Sequence, residues 1–216
     1  MAEPERRDDI LDQSVRDFLA ATAAKSPTPG GGSVAALAGA LAAAMGEMVV
    51  NYSLGKKSLA AFEPQLRPVL EALNRARALM LDLMVEDQSA FESLRAAKKL
   101  PAGAEREKAI KLAVDNCIRV PQSISATAVV VLRLSESIVD IANVFLLSDL
   151  AVCGDLAMAA ARCAQYNVRV NLAEVQDAQE RIKIETATNA VFSHALELIQ
   201  RLSPRIWRRI SKGPEE

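Results

Sequence analysis

The chain has 216 residues, half of them apolar and only 4% aromatic, which is enough to bury a substantial core and favours closely packed helices over a β-sandwich. Its 26 Lys and Arg against 27 Asp and Glu leave a formal net charge of −1, so bulk electrostatics give no reason to propose a nucleic-acid partner. Cys117, Cys153 and Cys163 lack metal-ligand spacing and read as reduced thiols of a cytoplasmic protein, and residues 1–17 lack the apolar core of a secretory signal.

Periodicity predicts a first helix over residues 9–24, burying Leu11, Val15, Phe18 and Leu19. The stretch Ser26-Pro27-Thr28-Pro29-Gly30-Gly31-Gly32-Ser33 follows, which cannot itself be a stable helix. It opens an alanine-rich helix over residues 33–54, with Ser33 as the expected N-cap and Glu47 as the sole charge between 33 and 50. A glycine loop at a helix start leaves N–H donors at the positive end of the dipole and, with no Cβ, admits an anionic or planar ligand. A flexible linker before a buried helix is the plainer reading. Residues 34–46 are uncharged but rich in Ala and Gly, short of the ~20 strongly apolar residues of a membrane span. Gly39 and Gly46 would let a neighbouring helix pack at close range.

Gly55-Lys56-Lys57 closes that helix, glycine serving as a C-terminal cap with lysines near the negative end. A third helix runs from about Pro64 to just before Pro101. After Pro101-Ala102-Gly103 a fourth extends to about Val120, where Pro121 is expected to kink or restart it. Helices then continue over 123–143, 149–168 and 172–202. The basic run 205–209 around Trp207 suits a solvated last turn that complements its own dipole. The expectation is an all-α, elongated bundle of long antiparallel helices, one domain over 1–216 with flexible ends at 1–8 and 211–216.

The third helix carries the clearest chemical signal. Steps of three and four give Leu66, Val69, Leu73, Ala76, Met80, Leu83, Asp87, Ala90, Leu94 and Ala97, in which Asp87 alone is not apolar. A carboxylate turned inward must be paired or hydrogen-bonded, or its pKa rises. Asp87 is therefore a candidate general acid or base, or a structural aspartate holding a helix end or an arginine. Ser148-Asp149 is either a second candidate or a plain helix start with Asp149 complementing the dipole. Glu47 is a third carboxylate in apolar surroundings. His194, the single histidine, reads as an ordinary packed or surface residue, and no Cys/His metal site, Glu-x-x-His pair or phosphate loop is present.

Pro27-Thr28-Pro29-Gly30-Gly31-Gly32-Ser33-Val34-Ala35-Ala36, then Met48-Val49-Val50-Asn51 and Gly55-Lys56-Lys57, resembles the cyclodeaminase/cyclohydrolase family of folate enzymes. Asp87-Gln88-Ser89-Ala90-Phe91, Leu100-Pro101, Val120-Pro121, Ser148-Asp149 and Asn167-Val168-Arg169-Val170-Asn171 are similar to its later segments, in the same order. The resemblance covers roughly residues 14–175. Ala102 stands where the family has lysine, Ala142-Asn143-Val144-Phe145 replaces a Gly-Asn-x-Asn stretch, and Glu47 replaces a small residue.

The resemblance implies a helical homodimer with sites near the subunit interface, acting without metal or other cofactor on a tetrahydrofolate adduct that can carry a polyglutamate tail. It implies closure of 5-formiminotetrahydrofolate to 5,10-methenyltetrahydrofolate with loss of ammonia. The alternatives are hydrolysis of the methenyl compound to 10-formyltetrahydrofolate, or a helical assembly module that has lost catalysis. On this resemblance Asp87 is the proton-transfer group and Asp149 assists or orients. Pro29, Gly30, Gly31, Gly32 and Ser33 bind the pterin or tail, Lys56 and Lys57 meet tail carboxylates, and Asn143 and Ser148 complete the substrate site. No nucleic-acid or membrane partner is implied.

Overall fold

Gly32, Gly39 and Gly46 recur every seven residues, so on a helix they form a single seam without Cβ atoms. The computed structural model describes residues 10–212 and builds the fold on that seam. Among the described residues there are six α-helices and no strand: α1 (Val15–Ala23), α2 (Gly31–Asn51), α3 (Glu63–Lys98), α4 (Ala104–Ile138), α5 (Leu147–Asn171) and α6 (Ala178–Lys212). Short 3-10 turns at Lys57–Phe62, Val144–Leu146 and Leu172–Glu174 connect them.

A Cβ placed on Gly46 would lie 3.1 Å from Leu73 Cδ1, and one on Gly39 would lie 2.5 Å from Met80 Cε. One on Gly32 would overlap the Asp87 carboxylate. Leu73, Met80 and Asp87 are themselves seven apart, in the opposite order, so α3 lies antiparallel on α2 and fills each gap with one side chain. Leu73 and Met80 are fully buried, which gives this contact its apolar strength. On the other flank of α2, Gly31 meets Asn167 and Gly46 meets Cys153, which sets α5 antiparallel to α2 as well.

α4 packs antiparallel to α5, with Ser135 Oγ 3.2 Å from Cys153 Sγ and Asn171 Nδ2 donating to the Cys117 carbonyl at 3.1 Å. α6 runs parallel to α4, joined by Arg201 to Glu136 at 2.6 Å and Arg205 to Asp140 at 2.5 Å. Arg209 Nη1 donates to the carbonyls of Val139 and Ala142, just past the end of α4. The basic run at 205–209 thus complements α4, not only its own helix, while Trp207 stays exposed.

Several expectations change. α1 begins at Val15 behind the N-cap Ser14 and ends at Ala23, and of its expected buried set only Phe18 is inside. Leu11, Val15 and Leu19 are 41%, 79% and 60% exposed, because so short a helix turns a single residue onto the bundle. Pro121 does not break the fourth helix, which is continuous from Ala104 to Ile138. Proline removes the N–H that would reach the Cys117 carbonyl four residues earlier, and Asn171 Nδ2 supplies the missing donor. The expected helix over 123–143 instead ends at Ile138, after which Asn143 caps a 3-10 turn.

By length and composition α2, α4 and residues 144–174 could each cross a membrane, contrary to the expectation for residues 34–46. In the fold, 56% of the apolar window of α2 is buried against its neighbours. The expected flexible end at 211–216 is helical through Lys212, whereas residues 1–8 and 213–216 lie outside the described residues.

Candidate active site

The first turn of α2 has no side-chain cap, because its N-cap position is Gly30 and not Ser33. The leading N–H groups of a helix lack intrahelical partners and sit at its positive end. Here the compensation comes from another helix. Asp87 of α3 lies against Gly32 at the gap in the seam, where Ser33 Oγ donates to its Oδ2 at 3.0 Å. Ser33 is fully buried, one turn deeper than a capping residue stands, and its side chain serves the carboxylate. Pro29 is buried at the approach to α2, after a cis peptide bond with Thr28.

Burial pushes the Asp87 carboxyl above its ordinary value, and the hydroxyl and main-chain N–H of Ser33 pull it back only in part. Among the described residues Asp87 makes no ion pair with an arginine or a lysine. It is a carboxyl held between burial and a helix N-terminus, suited to keeping a proton nearer neutral pH than a surface aspartate. The Cys117 thiol is raised by burial and then by the negative charge of Asp87, which places both in one interior. Cys153 is pushed up to about 11, chiefly by burial, so the buried thiols are poor nucleophiles at neutral pH.

The other expected site residues gather elsewhere. Lys56, Asn143, Phe145, Arg209 and Lys212 line a cleft of about 570 Å³ at the C-terminal end of α2. Lys56 Nζ stands 5.2 Å from the centroid of the Phe145 ring, and Lys57 is exposed beside it. The Asn143 amide is engaged in the fold, donating to the Tyr52 carbonyl at 3.1 Å and accepting from Phe145 N at 3.2 Å. Ser148 is exposed and Asp149 half-buried in the first turn of α5, where a carboxylate complements the dipole. Asn167 of α5 adjoins Gly31, and eighteen residues at ~1.5 Å each put Asp149 roughly 27 Å away. Within one chain the glycine loop and Asp87 are together, while Lys56, Lys57, Asn143, Ser148 and Asp149 form a separate group.

Glu47 is accounted for by Arg77, whose Nε donates to it at 2.7 Å. His194 stands apart from both groups, 3.1 Å from Arg133 Nη2. Asn167 and Asn171, within the segment 167–171, have no role assigned from the sequence alone. Two asparagines four apart on a buried helix were the available signal, together with a proline in a neighbouring helix that needed a donor for its freed carbonyl.

A family model described as formiminotransferase-cyclodeaminase matches residues 14–190. The methenyltetrahydrofolate cyclohydrolase of Methylorubrum extorquens is 34% identical over 179 residues, covering 79% of this chain and 86% of that protein. The formimidoyltransferase-cyclodeaminase of Gallus gallus is 35% identical over 178 residues, and the match spans only 32% of its length. The crystal structure of formiminotetrahydrofolate cyclodeaminase from Thermotoga maritima superposes with a TM-score of 0.86 at 28% identity, covering 92% of this chain and 98% of that one.

The raised Asp87 pKa has a stability consequence with a definite sign. A carboxyl whose pKa is higher in the fold than in the unfolded chain stabilises most when protonated, and that contribution is lost as pH rises through the folded value. Asp87→Asn is therefore expected to unfold at a higher temperature than wild type near neutral pH. The advantage should shrink as the solution is acidified towards 3.8, the ordinary value. A less stable Asn variant at neutral pH would show that the buried charge is fully compensated.

Proposed function

The chain belongs to the formiminotransferase-cyclodeaminase family, and on that premise we propose that it converts 5-formiminotetrahydrofolate to 5,10-methenyltetrahydrofolate and ammonia. The observation that carries the reading is the Asp87 carboxyl, half-buried against the Gly32 backbone with its pKa raised. In this reaction N10 attacks the formimino carbon on N5, and the C–N bond to the former imine nitrogen breaks. That nitrogen must gain protons to leave as ammonia, and N10 must lose one. A single carboxyl whose pKa burial has raised can do both in turn, and its charged form stabilises the amidinium cation that develops across N5 and N10. One C–N bond forms and another breaks with the oxidation state of the carbon unchanged, so no redox cofactor is called for. One proton passes from N10 to the departing nitrogen, and a second is taken up from solvent to leave the methenyl cation.

Hydrolysis of the methenyl compound is the second reading, favoured by the Methylorubrum extorquens relative, whose match extends over most of both chains. Water would then add to the carbon from which ammonia departs in the first reaction. The same carboxyl would serve, taking the proton of the attacking water.

The separation of the two residue groups is resolved by pairing two copies. The outward face of α2 carries an apolar stripe, with Val34 and Leu41 exposed, Ala38, Met45 and Met48 half-buried along it, and Tyr52 exposed at its end. α5, which packs beside α2, also exposes Val152 and Val170. A two-fold pair with antiparallel α2 helices would bury the stripe and set the Lys56 cleft of one copy against the Asp87 end of the other. The tail carboxylates of a folate at Asp87 would then meet the partner's basic cleft.

Followed by the absorbance of the methenyl product, purified protein should generate signal from 5-formiminotetrahydrofolate or accelerate its loss from 5,10-methenyltetrahydrofolate. Asp87→Asn should lower that turnover by about 100-fold or more. A folded wild-type protein inert in both directions would leave only the assembly module. Leu41→Lys, a charge on the outward face of α2, should give a folded monomer by light scattering with turnover largely lost. A monomeric wild type, or an active monomeric variant, would overturn the shared site.

A further inference from the structure

The Asn167 side chain has a fixed direction. Its Nδ2 donates to the Cys163 carbonyl at 2.9 Å, and since a carbonyl only accepts, the amide cannot be reversed. That leaves Oδ1 as the free acceptor, and it would lie 3.4 Å from a Cβ on Gly31. The position is braced from behind. Asn171 Nδ2 donates both to the Asn167 carbonyl at 2.8 Å and to the Cys117 carbonyl at 3.1 Å. The second of these is the carbonyl that Pro121 leaves without its helical donor. Pro121, Asn171 and Asn167 thus tie α4 and α5 together beside the first turn of α2.

Adjacent glycines therefore face two different side chains. Gly32 meets Asp87 and Gly31 meets Asn167, so the carboxyl and the amide oxygen flank the start of α2. Gly31 is the first residue of the helix, and its N–H has no intrahelical acceptor. A main-chain donor beside a side-chain acceptor is the complement of a lactam edge, in which a carbonyl oxygen neighbours a ring N–H. The pteridine ring of a folate carries such an edge at O4 and N3, and N5 lies on the ring atom peri to O4.

We propose that Asn167 is a specificity-determining residue that accepts the ring N3–H of the pteridine, while Gly31 N–H donates to O4. This rests on the folate reading of the same site. Docked in that way, the ring brings N5, where the one-carbon group is carried, towards Asp87 beyond Gly32. Asn171 is a positioning residue that acts through Asn167.

Asn167→Ala and Asn167→Ser test the assignment, the serine hydroxyl being able to keep the bond to the Cys163 carbonyl while withdrawing the acceptor from Gly31. Because the pteridine edge does not react, KM should rise about 3- to 10-fold in both variants with kcat changed less. Binding of tetrahydrofolate, read by calorimetry, should weaken equally. Binding of p-aminobenzoylglutamate, which has the tail but no pteridine, should be unchanged. Equal weakening of both ligands would place Asn167 at the tail and overturn the proposal, as would folded variants with wild-type KM. If wild-type protein itself neither binds nor converts tetrahydrofolates, the folate reading fails before this one is reached.

Discussion

Because Gly32 has no Cβ, the Asp87 carboxylate can lie directly against the backbone of α2, and the geometry of the site follows from that contact. Any side chain there would occupy the volume the carboxylate fills. The same seam admits Met80 at Gly39 and Leu73 at Gly46, so an apolar interlock one and two heptads away fixes the register that delivers Asp87. Packing at two positions thus holds a costly carboxyl at the third. The helix N-terminus and Ser33 offset part of that cost and burial keeps the rest, which is the condition for a proton-holding group.

A second economy operates between α4 and α5. Pro121 would ordinarily kink or break a long helix, yet α4 continues through it, and Asn171 answers the carbonyl that proline leaves without a donor. The same asparagine bonds the main chain of Asn167, so a defect in one helix becomes a brace for a side chain at the site. Both arrangements use a locally unfavourable residue whose compensation lies far away in sequence.

The sequence made α3 legible because its stripe of threes and fours is long and regular, and nearly every position in it is buried as expected. Asp87 stood out for the same reason, as the single break in the pattern. Periodicity said nothing of what faces it: Ser33 read as a local cap because Ser before an alanine run is a common helix start, and its real partner lies 54 residues away. Gly39 and Gly46 signalled close packing, but their identity as one seam with Gly32 required knowing that α3 runs antiparallel. The distance between Asp87 and the Ser148-Asp149 pair was likewise invisible, since motif order along a chain carries no information about which end of a bundle each motif occupies.

The most direct test of the account compares turnover in Gly32→Ala and Gly39→Ala. Both crowd the α2–α3 seam, and overpacking of this kind costs about 1–3 kcal/mol of stability in either case. Gly39 presses on the flexible end of Met80, while Gly32 presses on the carboxyl itself. The account predicts that Gly32→Ala, still folded, loses turnover by about 100-fold or more, as expected for displacement of a proton-transfer group, whereas Gly39→Ala keeps most of it. Equal activity in the two variants would contradict the claim that the Gly32 gap exists to place Asp87.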